Sequence, residues 1–342
     1  MEKMKPAFEE NNLAIYALTD NNYAPYLGVA LYSLLKNASL KYNYDIIICE
    51  NTVSETNKDK LLKLCKGKNN CSIRFIDMNK LISMLHVEAA EHISLNSYAK
   101  VFVMSEIFSD YDKILSLDSD TLILKDVSPI FNTDMEGKAI AAVKDAYLSV
   151  SIKRGFHADK RLNYKPVKDC YKDTEIDVDN YFNVGVILYD LNYCRANNCF
   201  EKTVKTCNEN PVMIYMEQDI LNMVFKQNWK PLKLYWNGMS PYSIVPKAGD
   251  FPKDYEELVR NAAIIHFLGG NKPWEDKNAI LADVYMQYAQ ESFWNDDIKK
   301  SREKFEEKNK VKGLLLPKGS KRREVYKKMW FGIHDAINGW HV

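Results

Sequence analysis

The sequence predicts an α/β protein built on a mostly parallel central sheet flanked by helices. In the first half of the chain, apolar runs of strand length alternate with amphipathic stretches of helix length, which is the pattern of βαβ units. Acidic residues directly follow two of those runs, at the edge where parallel sheets bind ligands. With 342 residues, 46% of them hydrophobic and 27% charged, the chain can bury a large core as one large domain or two smaller ones.

The first half contains the more regular elements. Four apolar runs predict strands, and stretches with apolar residues every three or four positions predict the helices between them. Ser54 is placed to cap the start of the second helix. The strands are predicted at residues 13–18, 45–49, 72–76 and 113–117, and the helices at residues 23–38, 54–66 and 97–108.

The second half is less regular, although its apolar runs still predict strands and helices. Residues 146–180 are polar and loop-like, and this segment is long enough to cover a site as a lid. The strands are predicted at residues 139–143 and 184–189, and the helices at residues 217–225 and 279–290.

Composition and motifs exclude several classes of function. The 47 basic and 46 acidic residues give a net charge of +1, which predicts no nucleic-acid partner. The chain has neither the G-x-G-x-x-G motif of dinucleotide-binding proteins nor the G-x-x-x-x-G-K-[ST] motif of P-loop proteins. Dinucleotide and P-loop chemistry are therefore not expected.

Cysteine usage and the N-terminus bear on the cellular location. The seven cysteines are scattered and form no C-x-x-C pair, which argues against a disulfide framework and against a zinc site. Free thiols in a reducing cytoplasm are the expectation. The charged N-terminus lacks the apolar core of a signal peptide, and no stretch approaches the roughly 20 apolar residues of a membrane span. The sequence therefore predicts a cytoplasmic protein.

The segment 113–124 contains the most informative motif. Its apolar run is interrupted by two carboxylates two positions apart, Asp118 and Asp120. Because side chains at positions i and i+2 lie on one side of an extended chain, both carboxylates can face one point. Two such charges beside a core strand repel each other, and a hard cation such as Mg²⁺ or Mn²⁺ would stabilise the pair. A strand-end turn is the alternative, since Asp-Ser-Asp also favours turns.

Three further segments can serve the same chemistry. Residues 19–23 read TDNNY after the first strand, where an aromatic ring can stack on a base, although the segment is also an ordinary helix start. Gly185 interrupts a strand, which indicates close approach of a ligand or of backbone. Glu217 opens a helix, where acidic residues also compensate the helix dipole.

Residues 266–274 read HFLGGNKPW and follow another apolar run. A strand ending in His266 can present its imidazole to the metal that the two aspartates would hold. The glycines let backbone approach phosphates closely, and Lys272 supplies a cation for a diphosphate. A lone histidine at a strand end is more often structural, so the indication comes from its combination with the paired aspartates.

Together these segments resemble the family 8 glycosyltransferases, retaining enzymes related to bacterial lipopolysaccharide galactosyl- and glucosyltransferases and to glycogenin. The resemblance covers about residues 13–290 and keeps the family's order. It consists of TDNNY at 19–23, SYAK at 97–100, LDSD at 117–120, FNVG at 182–185, QDILN at 218–222 and H-x-x-G-x-x-K-P-W at 266–274.

The resemblance implies a GT-A fold, a UDP-sugar donor and Mn²⁺ as the usual metal, with Mg²⁺ as the alternative. It implies that the metal ligands are Asp118, Asp120 and His266. Other implied residues bind the donor: Asp20, Asn22 and Tyr23 at the uridine, Asp118, Ser119, Gly269 and Lys272 at the metal and diphosphate, and Lys100, Asn183 and Gly185 at the sugar. The implied catalytic residues, also around the donor sugar, are Asp145, Glu217 and Gln218.

The resemblance also implies an organisation and a reaction. Residues 1–290 would form the catalytic domain, with a nucleotide-sugar half at about 13–145 and an acceptor and catalytic half at about 146–290. Beyond the resemblance, the composition of residues 291–342 predicts a helical basic tail. The implied reaction transfers glucose or galactose, with retention, to a glycan or glycolipid acceptor in cell-envelope polysaccharide synthesis. A nucleotidyltransferase would need a glycine-rich or basic triphosphate loop near the first strand, which residues 19–23 are not. A non-catalytic sugar-nucleotide-binding protein is the third possibility, and the complete set of metal and diphosphate residues argues against it.

Two departures from the family pattern bear on the choice of donor sugar. Lys100 stands where the family commonly has Arg, which keeps the charge and loses bidentate geometry. Glu217 stands where the family commonly has Asp, which moves a carboxylate by one methylene group. The reaction class is unaffected by either change.

The C-terminal tail predicts a membrane contact. Residues 299–328 contain 13 Lys or Arg against four Glu, a charge of +9 that leaves −8 for the rest of the chain. Aromatic residues follow, which suits an anionic membrane surface on the inner face of the plasma membrane. A solvated helical face is the alternative. The aromatic residues of the tail are Tyr326, Trp330, Phe331 and Trp340.

Overall fold

The computed structural model of the protein describes residues 3–84, 99–158, 162–210, 212–241, 251, 253–270 and 272–315. Its strands, in chain order, are β1 (Asn12–Asp20), β2 (Asn43–Asn51), β3 (Cys71–Asp77), β4 (Lys113–Leu117), β5 (Thr121–Ile123), β6 (Ile140–Lys144), β7 (Phe182–Asp190), β8 (Trp229–Leu232), β9 (Gly238–Pro241) and β10 (Ile264–Leu268).

The helices flank these strands and connect them. In chain order they are α1 (Ala24–Lys36), α2 (Glu55–Lys63), α3 (Met78–Met84), α4 (Ser128–Phe131), α5 (Tyr147–Lys153), α6 (Val167–Cys170), α7 (Leu191–Ala196), α8 (Cys199–Glu209), α9 (Glu217–Val224), α10 (Tyr255–Arg260), α11 (Ala282–Glu291) and α12 (Asn295–Leu315).

The central sheet has seven strands in the order β3-β2-β1-β4-β7-β6-β8. The β3-β2-β1-β4 half is parallel throughout, β7 runs antiparallel to both β4 and β6, and β8 is parallel to β6. The predicted mostly parallel sheet is confirmed. A smaller three-stranded sheet has the order β5-β10-β9, with β10 antiparallel to β5 and parallel to β9.

Burial explains why the central strands carry long apolar runs. Helices cover both faces of a parallel sheet, so successive residues of its strands are buried on opposite faces. In β1, Tyr16 packs into one hydrophobic cluster and Ile15 into the other. Helix α1 turns Leu27, Leu31 and Leu34 towards that second cluster, with the spacing of one helical face.

The chain crosses from the central sheet to the small sheet between the end of β4 and the start of β5. Three residues make the crossing, and each is tied to a different strand. The backbone N–H of Asp118 donates to the carbonyl of Gly185 in β7 (2.9 Å), and the hydroxyl of Ser119 donates to a carbonyl of β1. The carbonyl of Asp120 accepts from the N–H of Phe267 in β10 (2.9 Å). The paired carboxylates therefore lie where the two sheets meet.

The predicted helix at 97–108 is wrong for residues 100–108. Residues Phe102–Met104 and Glu106–Phe108 form separate 3₁₀ turns, and Ser105 between them is extended (φ −73°, ψ 165°). The hydroxyl of Ser105 donates to the carbonyl of Phe102 (2.6 Å), a local bond that competes with helix continuation. Residues 97 and 98 lie outside the described residues.

The segment 146–180, predicted as a loop, contains helices α5 and α6. The carboxylate of Asp145 accepts from the backbone N–H groups of Tyr147 (2.7 Å) and Leu148 (2.9 Å), which fixes the first turn of α5. Leu148 and Val150 are buried from this short helix. Helix α5 was not predicted because the segment as a whole is polar and contains only a few apolar residues that become buried.

The expectation that all cysteines are free is wrong for one pair. Cys65 lies just after α2 and Cys71 opens β3, and the turn between them brings their Cα atoms to 5.3 Å, where they form a disulfide. Spacing along the chain did not indicate this turn geometry. The remaining five cysteines are free thiols, and four of them are buried.

Helix α12 covers the first part of the predicted basic tail. It runs from Asn295 to Leu315, and residues 316–342, which hold all four tail aromatics named above, lie outside the described residues. Among the helices of the described ranges, none is both long and apolar enough to cross a membrane.

Candidate active site

Two adjoining cavities open at the carboxyl ends of β1 and β4. The larger, about 670 Å³, is bounded by the paired aspartates, by β7, by the start of α9 and by the end of β10. The smaller, about 190 Å³, lies between the same aspartates and the β1–α1 turn. Of the residues implied by the family resemblance, those that line one or both cavities are Asp20, Tyr23, Lys100, Asp118, Ser119, Asp120, Asp145, Asn183, Glu217, Gln218, His266 and Gly269.

Three implied residues do not line the cavities. Asn22 is exposed on the β1–α1 turn. Gly185 lies behind the imidazole of His266, and Lys272 reaches the site through its ammonium group. The structure thus brings the implied residues to one place, with Asn22 at its margin.

Asp118, Asp120 and His266 form a cluster that can hold a metal ion. One ligand atom from each lies within 4.8 Å of the others. The Nε2 atom of His266 is 3.2 Å from a carboxylate oxygen of Asp120 and 3.8 Å from one of Asp118. His266 was predicted at the end of a strand and lies instead in the middle of β10, in register with Thr121 of β5.

A chain of hydrogen bonds decides which nitrogen of His266 faces the carboxylates. The backbone N–H of Gly185 donates to Oδ1 of Asn183 (2.9 Å), so the amide of Asn183 has one orientation. The Nδ2 group of Asn237 donates to that same oxygen (2.9 Å), which turns Oδ1 of Asn237 towards Nδ1 of His266 at 3.1 Å. Nδ1 therefore donates its hydrogen to Asn237, and Nε2 is the ring nitrogen that faces the aspartates.

This arrangement fits a divalent cation such as Mn²⁺. A neutral imidazole nitrogen and carboxylate oxygens are suitable ligands, and a hydrogen bond from the other ring nitrogen is the usual support of a metal-binding histidine. Asn237, which gives that support, is fully buried and was not identified from the sequence. It belongs to none of the motifs, so only the fold could indicate its position.

Two lysines neutralise the aspartates. Lys100 is buried, and its ammonium lies 2.7 Å from Asp118 and 4.0 Å from Glu217. The ammonium of Lys272 lies 2.7 Å from Asp120. Burial alone would raise the pKa of Asp120, but His266 and Lys272 reverse this effect and hold that pKa well below its usual range. Burial alone would lower the pKa of Lys100. The neighbouring carboxylates of Asp118 and Glu217 outweigh this effect and raise that pKa above its usual value.

Gly185 makes room for His266. A Cβ atom built on Gly185 would lie 2.1 Å from Cε1 and 2.3 Å from Nδ1 of the imidazole, far inside van der Waals contact. The sequence predicted close approach of a ligand or of backbone at this glycine. The group that approaches it is a side chain.

The start of α9 brings Gln218 to Asp145. The amide oxygen of Gln218 accepts from the N–H of Val184 (3.1 Å) and from the amide of Asn183 (3.2 Å), and its amide nitrogen donates to Asp145 (3.3 Å). Asp145 accepts in addition from the amide of Asn183 (3.0 Å). Gln218 is therefore held at both ends of its amide. Glu217 lines both cavities beside Lys100.

The β1–α1 turn provides an aromatic surface. A carboxylate oxygen of Asp20 accepts from the N–H of Tyr23 (2.8 Å), as in an ordinary helix start. The Tyr23 ring is partly exposed and meets the edge of Tyr26, with ring centroids 5.5 Å apart. Tyr26 stacks on Trp274 at 4.3 Å. The tyrosine nearest the smaller cavity thus rests on a packed aromatic support.

The far wall of the larger cavity consists of residues that the sequence did not indicate. They come from the segment that was predicted as a lid, and from the loop before α9. These wall residues are Tyr147, Ser151, Phe156, Tyr215 and Met216. Their aromatic rings gave no periodic pattern, because they lie in short helices and turns.

The open sheet, with an acid pair, a histidine and two lysines at its rim, defines a GT-A glycosyltransferase. Residues 14–278 match the glycosyl transferase family 8 profile, and the chain belongs to that family. It is therefore a glycosyltransferase.

The chain is similar to bacterial proteins over most of its length. It is 29% identical to general stress protein A of Bacillus subtilis (strain 168) over 289 residues, which are 82% of this chain and 94% of that protein. It is 27% identical to a putative glycosyltransferase of Haemophilus influenzae over 263 residues, which are 76% of this chain and 72% of that protein.

Solved structures share the fold. The bifunctional glycosyltransferase WbbM, in its apo form, superposes with a TM-score of 0.78 at 26% identity over 88% of this chain. This chain spans about half of WbbM, 53% of its length. The galactosyltransferase LgtC, solved with donor and acceptor sugar analogues, superposes with a TM-score of 0.61 at 25% identity, over 82% of this chain and 96% of LgtC.

Proposed function

We propose that this glycosyltransferase is metal-dependent and retaining, and that it moves glucose or galactose from a UDP-sugar to a glycan or glycolipid acceptor of the cell envelope. The observation that carries the proposal is the Asp118, Asp120 and His266 cluster, in which Nε2 of the imidazole faces two carboxylates. Asp118, Asp120 and His266 would hold Mn²⁺, or alternatively Mg²⁺. Bound there, the cation would act as a Lewis acid on the diphosphate leaving group.

The position of Lys272 favours binding of a diphosphate at this site. In the transfer, the bond from the anomeric carbon to the diphosphate breaks, and negative charge gathers on the leaving oxygen. The ammonium of Lys272 already lies 2.7 Å from Asp120, so a small change of its rotamers would bring it to a phosphate beside the cluster. Gly269, whose φ of +73° suits glycine, would let backbone approach the same phosphates.

The base and ribose would lie at the other cavity. Tyr23 offers a partly exposed ring on which uracil can stack, and Asp20 and Asn22 offer polar atoms beside it. The hydroxyl of Ser119 donates to a β1 carbonyl, which makes this residue a support of the turn between the two aspartates. A nucleotide placed this way would extend from the smaller cavity towards the metal cluster.

Retention is proposed to proceed by attack on the same face of the sugar, with Gln218, Glu217 and Asp145 as positioning groups. A neutral amide oxygen is a poor nucleophile, and both hydrogen-bonding ends of Gln218 are already engaged. The Glu217 carboxylate lies 4.0 Å from Lys100, in the wall shared by both cavities, where it can bind sugar hydroxyls. Asn183 would join Asp145 around the donor sugar.

The aromatic wall of the larger cavity is suited to bind a carbohydrate acceptor. Phe156, Tyr147 and Tyr215 line the same cavity as the metal cluster, and aromatic faces pack well against the apolar faces of sugar rings. That LgtC was solved with an acceptor sugar analogue supports an acceptor of the same class.

One assay tests the proposed reaction. UDP release should occur with UDP-glucose or UDP-galactose in the presence of Mn²⁺ and should stop when EDTA is added. A nucleotidyltransferase would instead consume a nucleoside triphosphate and release pyrophosphate. NMR of the glycoside product should show the α configuration of the donor, and a β linkage would refute retention.

We further propose that the tail places the enzyme on the inner face of the plasma membrane. Residues after Leu315 contain six Lys or Arg together with the tail aromatics, and each basic residue near an anionic surface contributes about 1 kcal/mol. The intact chain should sediment with anionic liposomes at low salt and less so at high salt. A chain ending at residue 315 should stay in the supernatant, and equal sedimentation of both would refute the membrane contact.

A further inference from the structure

Two neighbouring residues of helix α12 touch the two segments that frame the proposed nucleotide site. The hydroxyl of Ser301 lies 3.3 Å from the hydroxyl of Tyr26 in α1. The guanidinium of Arg302 donates through Nε (3.0 Å) and Nη2 (2.6 Å) to the carbonyl of Pro273. One turn of the C-terminal helix therefore contacts both sides of the site from behind.

Each contact supports a residue that faces the site. Tyr26 meets the edge of Tyr23, the ring proposed to carry the base. Pro273 directly follows Lys272, and two further bonds fix this loop, because the N–H groups of Glu275 and Asp276 both donate to the Lys272 carbonyl at 2.9 Å. The carbonyl held by Arg302 is thus one residue from the cation proposed to bind the diphosphate.

The contact of Arg302 is a specific one. Its guanidinium is partly buried, and this burial lowers its pKa below the usual value for arginine. Within the described ranges, both of its hydrogen bonds go to the single carbonyl of Pro273 rather than to a carboxylate. A charged donor forms a stronger bond to a carbonyl than a neutral one does, and the partial loss of water around it makes that bond directional.

We infer that Arg302 is a positioning residue for nucleotide binding, acting through Pro273 on Lys272. The inference rests on the proposed UDP-sugar function and adds to it that the first turns of the C-terminal helix belong to the nucleotide site. The basic tail is then not separable from the catalytic body at residue 291. Its first part supports the diphosphate loop, and only the part beyond the contacts of α12 is free to serve another purpose.

The chain offers a matched control on the same helix and the same loop. The carboxylate of Glu306, one turn after Arg302, pairs with the ammonium of Lys277 at 2.8 Å. Both of these side chains are well exposed, and exposed ion pairs contribute little to stability. Glu306→Gln therefore removes a second contact between the helix and the loop at little cost in stability. It leaves the carbonyl beside Lys272 untouched.

The test measures UDP binding by calorimetry in the presence of Mn²⁺, together with the melting temperature of each variant. Arg302→Met keeps the aliphatic packing and removes the donors, and we expect it to weaken UDP binding about tenfold, the effect of one lost charge-assisted bond. Arg302→Lys keeps a charged donor and should recover part of that loss. Glu306→Gln should bind UDP as the unchanged protein does.

The outcomes separate this inference from the function on which it rests. If the unchanged protein does not bind UDP with Mn²⁺, the proposed function fails and the inference fails with it. If the unchanged protein binds UDP and folded Arg302→Met binds it equally well, only the inference is overturned. An equal loss in Glu306→Gln would also overturn it, because general docking of the helix would then explain the effect. Should Arg302→Met not fold, Arg302→Lys decides the matter. Weakened UDP binding at an unchanged melting temperature would support the inference, and unchanged UDP binding would overturn it.

Discussion

Two clusters of buried charge lie at opposite ends of the central sheet. Near the amino ends of the strands, the fully buried carboxylate of Asp45 accepts from Arg74 (2.6 and 2.7 Å), from the hydroxyl of Tyr111 (2.9 Å) and from the N–H of Ala7 (3.0 Å). At the carboxyl ends, Asp118 and Asp120 share one histidine and are open to cavities on both sides.

The difference shows that burial of a charge does not by itself mark a functional site. The Asp45 cluster pairs one carboxylate with one guanidinium, and the N-terminal segment closes over it, which is the pattern of a structural ion pair. The other cluster concentrates two carboxylates on one point and leaves that point accessible to a ligand. Two carboxylates that converge on one point, together with access from a cavity, are the arrangement that indicates chemistry.

Loss of a carboxylate from the open cluster should have the largest effect. Asp120→Asn removes a proposed metal ligand and keeps the size of the side chain, so we expect turnover to fall about 1,000-fold, or about 4 kcal/mol. The protein should stay folded with a somewhat lower melting temperature, because the variant removes the charge partner of Lys272 while it relieves repulsion from Asp118. UDP release and thermal denaturation measure the two effects, and turnover that persists unchanged in EDTA would contradict the assignment.

The closed cluster should respond in the opposite way. Asp45→Asn leaves Arg74 partly buried without its charge partner, and we expect a loss of about 3 kcal/mol in the free energy of unfolding. Turnover per folded molecule should stay at its original level, since the cluster lies at the other end of the sheet. Urea denaturation and an activity assay at low temperature check this, and a large loss of turnover in folded protein would break the comparison.

A methyl group at Gly185 should disturb the open cluster through His266. Gly185→Ala puts a Cβ 2.1 Å from the imidazole, so the ring must leave its position, and we expect Mn²⁺ affinity to fall about 100-fold. Gly28→Ala is the control, because its Cβ would collide with the ring of Trp294, away from the site. Calorimetry with Mn²⁺ should show the loss in Gly185→Ala alone, while Gly28→Ala should lower only the melting temperature.

A third buried carboxylate extends the comparison, and we expect its removal to have the smallest effect, a change in how stability depends on pH. Asp219 in α9 is fully buried and accepts from the hydroxyls of Tyr171 (2.9 Å) and Tyr181 (2.5 Å) and from the N–H of Tyr215 (2.9 Å). No cation is among these partners. Burial accordingly raises the pKa of Asp219 to about 6, whereas the pKa of Asp120 is lowered.

The raised pKa of Asp219 predicts the sign of a pH effect. The folded protein holds a proton on Asp219 in the range from about pH 4 to 6, where the unfolded chain has released it, so this group stabilises the fold as the pH falls through that range. The contribution is lost as the pH rises through about 6. Asp219→Asn cannot titrate, so it should lack this pH dependence, whose slope is at most about 1.4 kcal/mol per pH unit. Melting temperatures measured across the range test it, and parallel profiles for the two proteins would contradict it.

Much of the fold was predictable where elements were long enough to show a period, although residues 102–108 do not form the predicted helix. The first strand was predicted at residues 13–18 and is Asn12–Asp20, because a run of buried apolar residues dictates it. Strands such as β5, β8 and β9 have three or four residues, and so few residues carry no period. They form because a partner strand lies beside them, and that is decided by the rest of the fold.

The candidate site was predictable to the extent that its residues lie in motifs. Asp118, Asp120 and His266 each belong to one, and the structure brings them to one point. Their roles in metal and donor binding stay predictions, as does the division of the catalytic domain into two halves. Asn237 could not be found, since its contribution depends on a hydrogen-bond chain that starts at Gly185, far away in sequence.

Two backbone amides at the junction between the two sheets should be sensitive to ligand binding at the site. Asp118 is bonded through its N–H to β7 of the large sheet, and Asp120 through its carbonyl to the N–H of Phe267 in the small sheet. The distance between the two carboxylates is therefore set by how one sheet sits on the other. A ligand that bridges both carboxylates would fasten the sheets together, and the amide hydrogens of Asp118 and Phe267 would then exchange with solvent more slowly. Hydrogen exchange at these two amides can follow occupancy of the site without any substrate turnover.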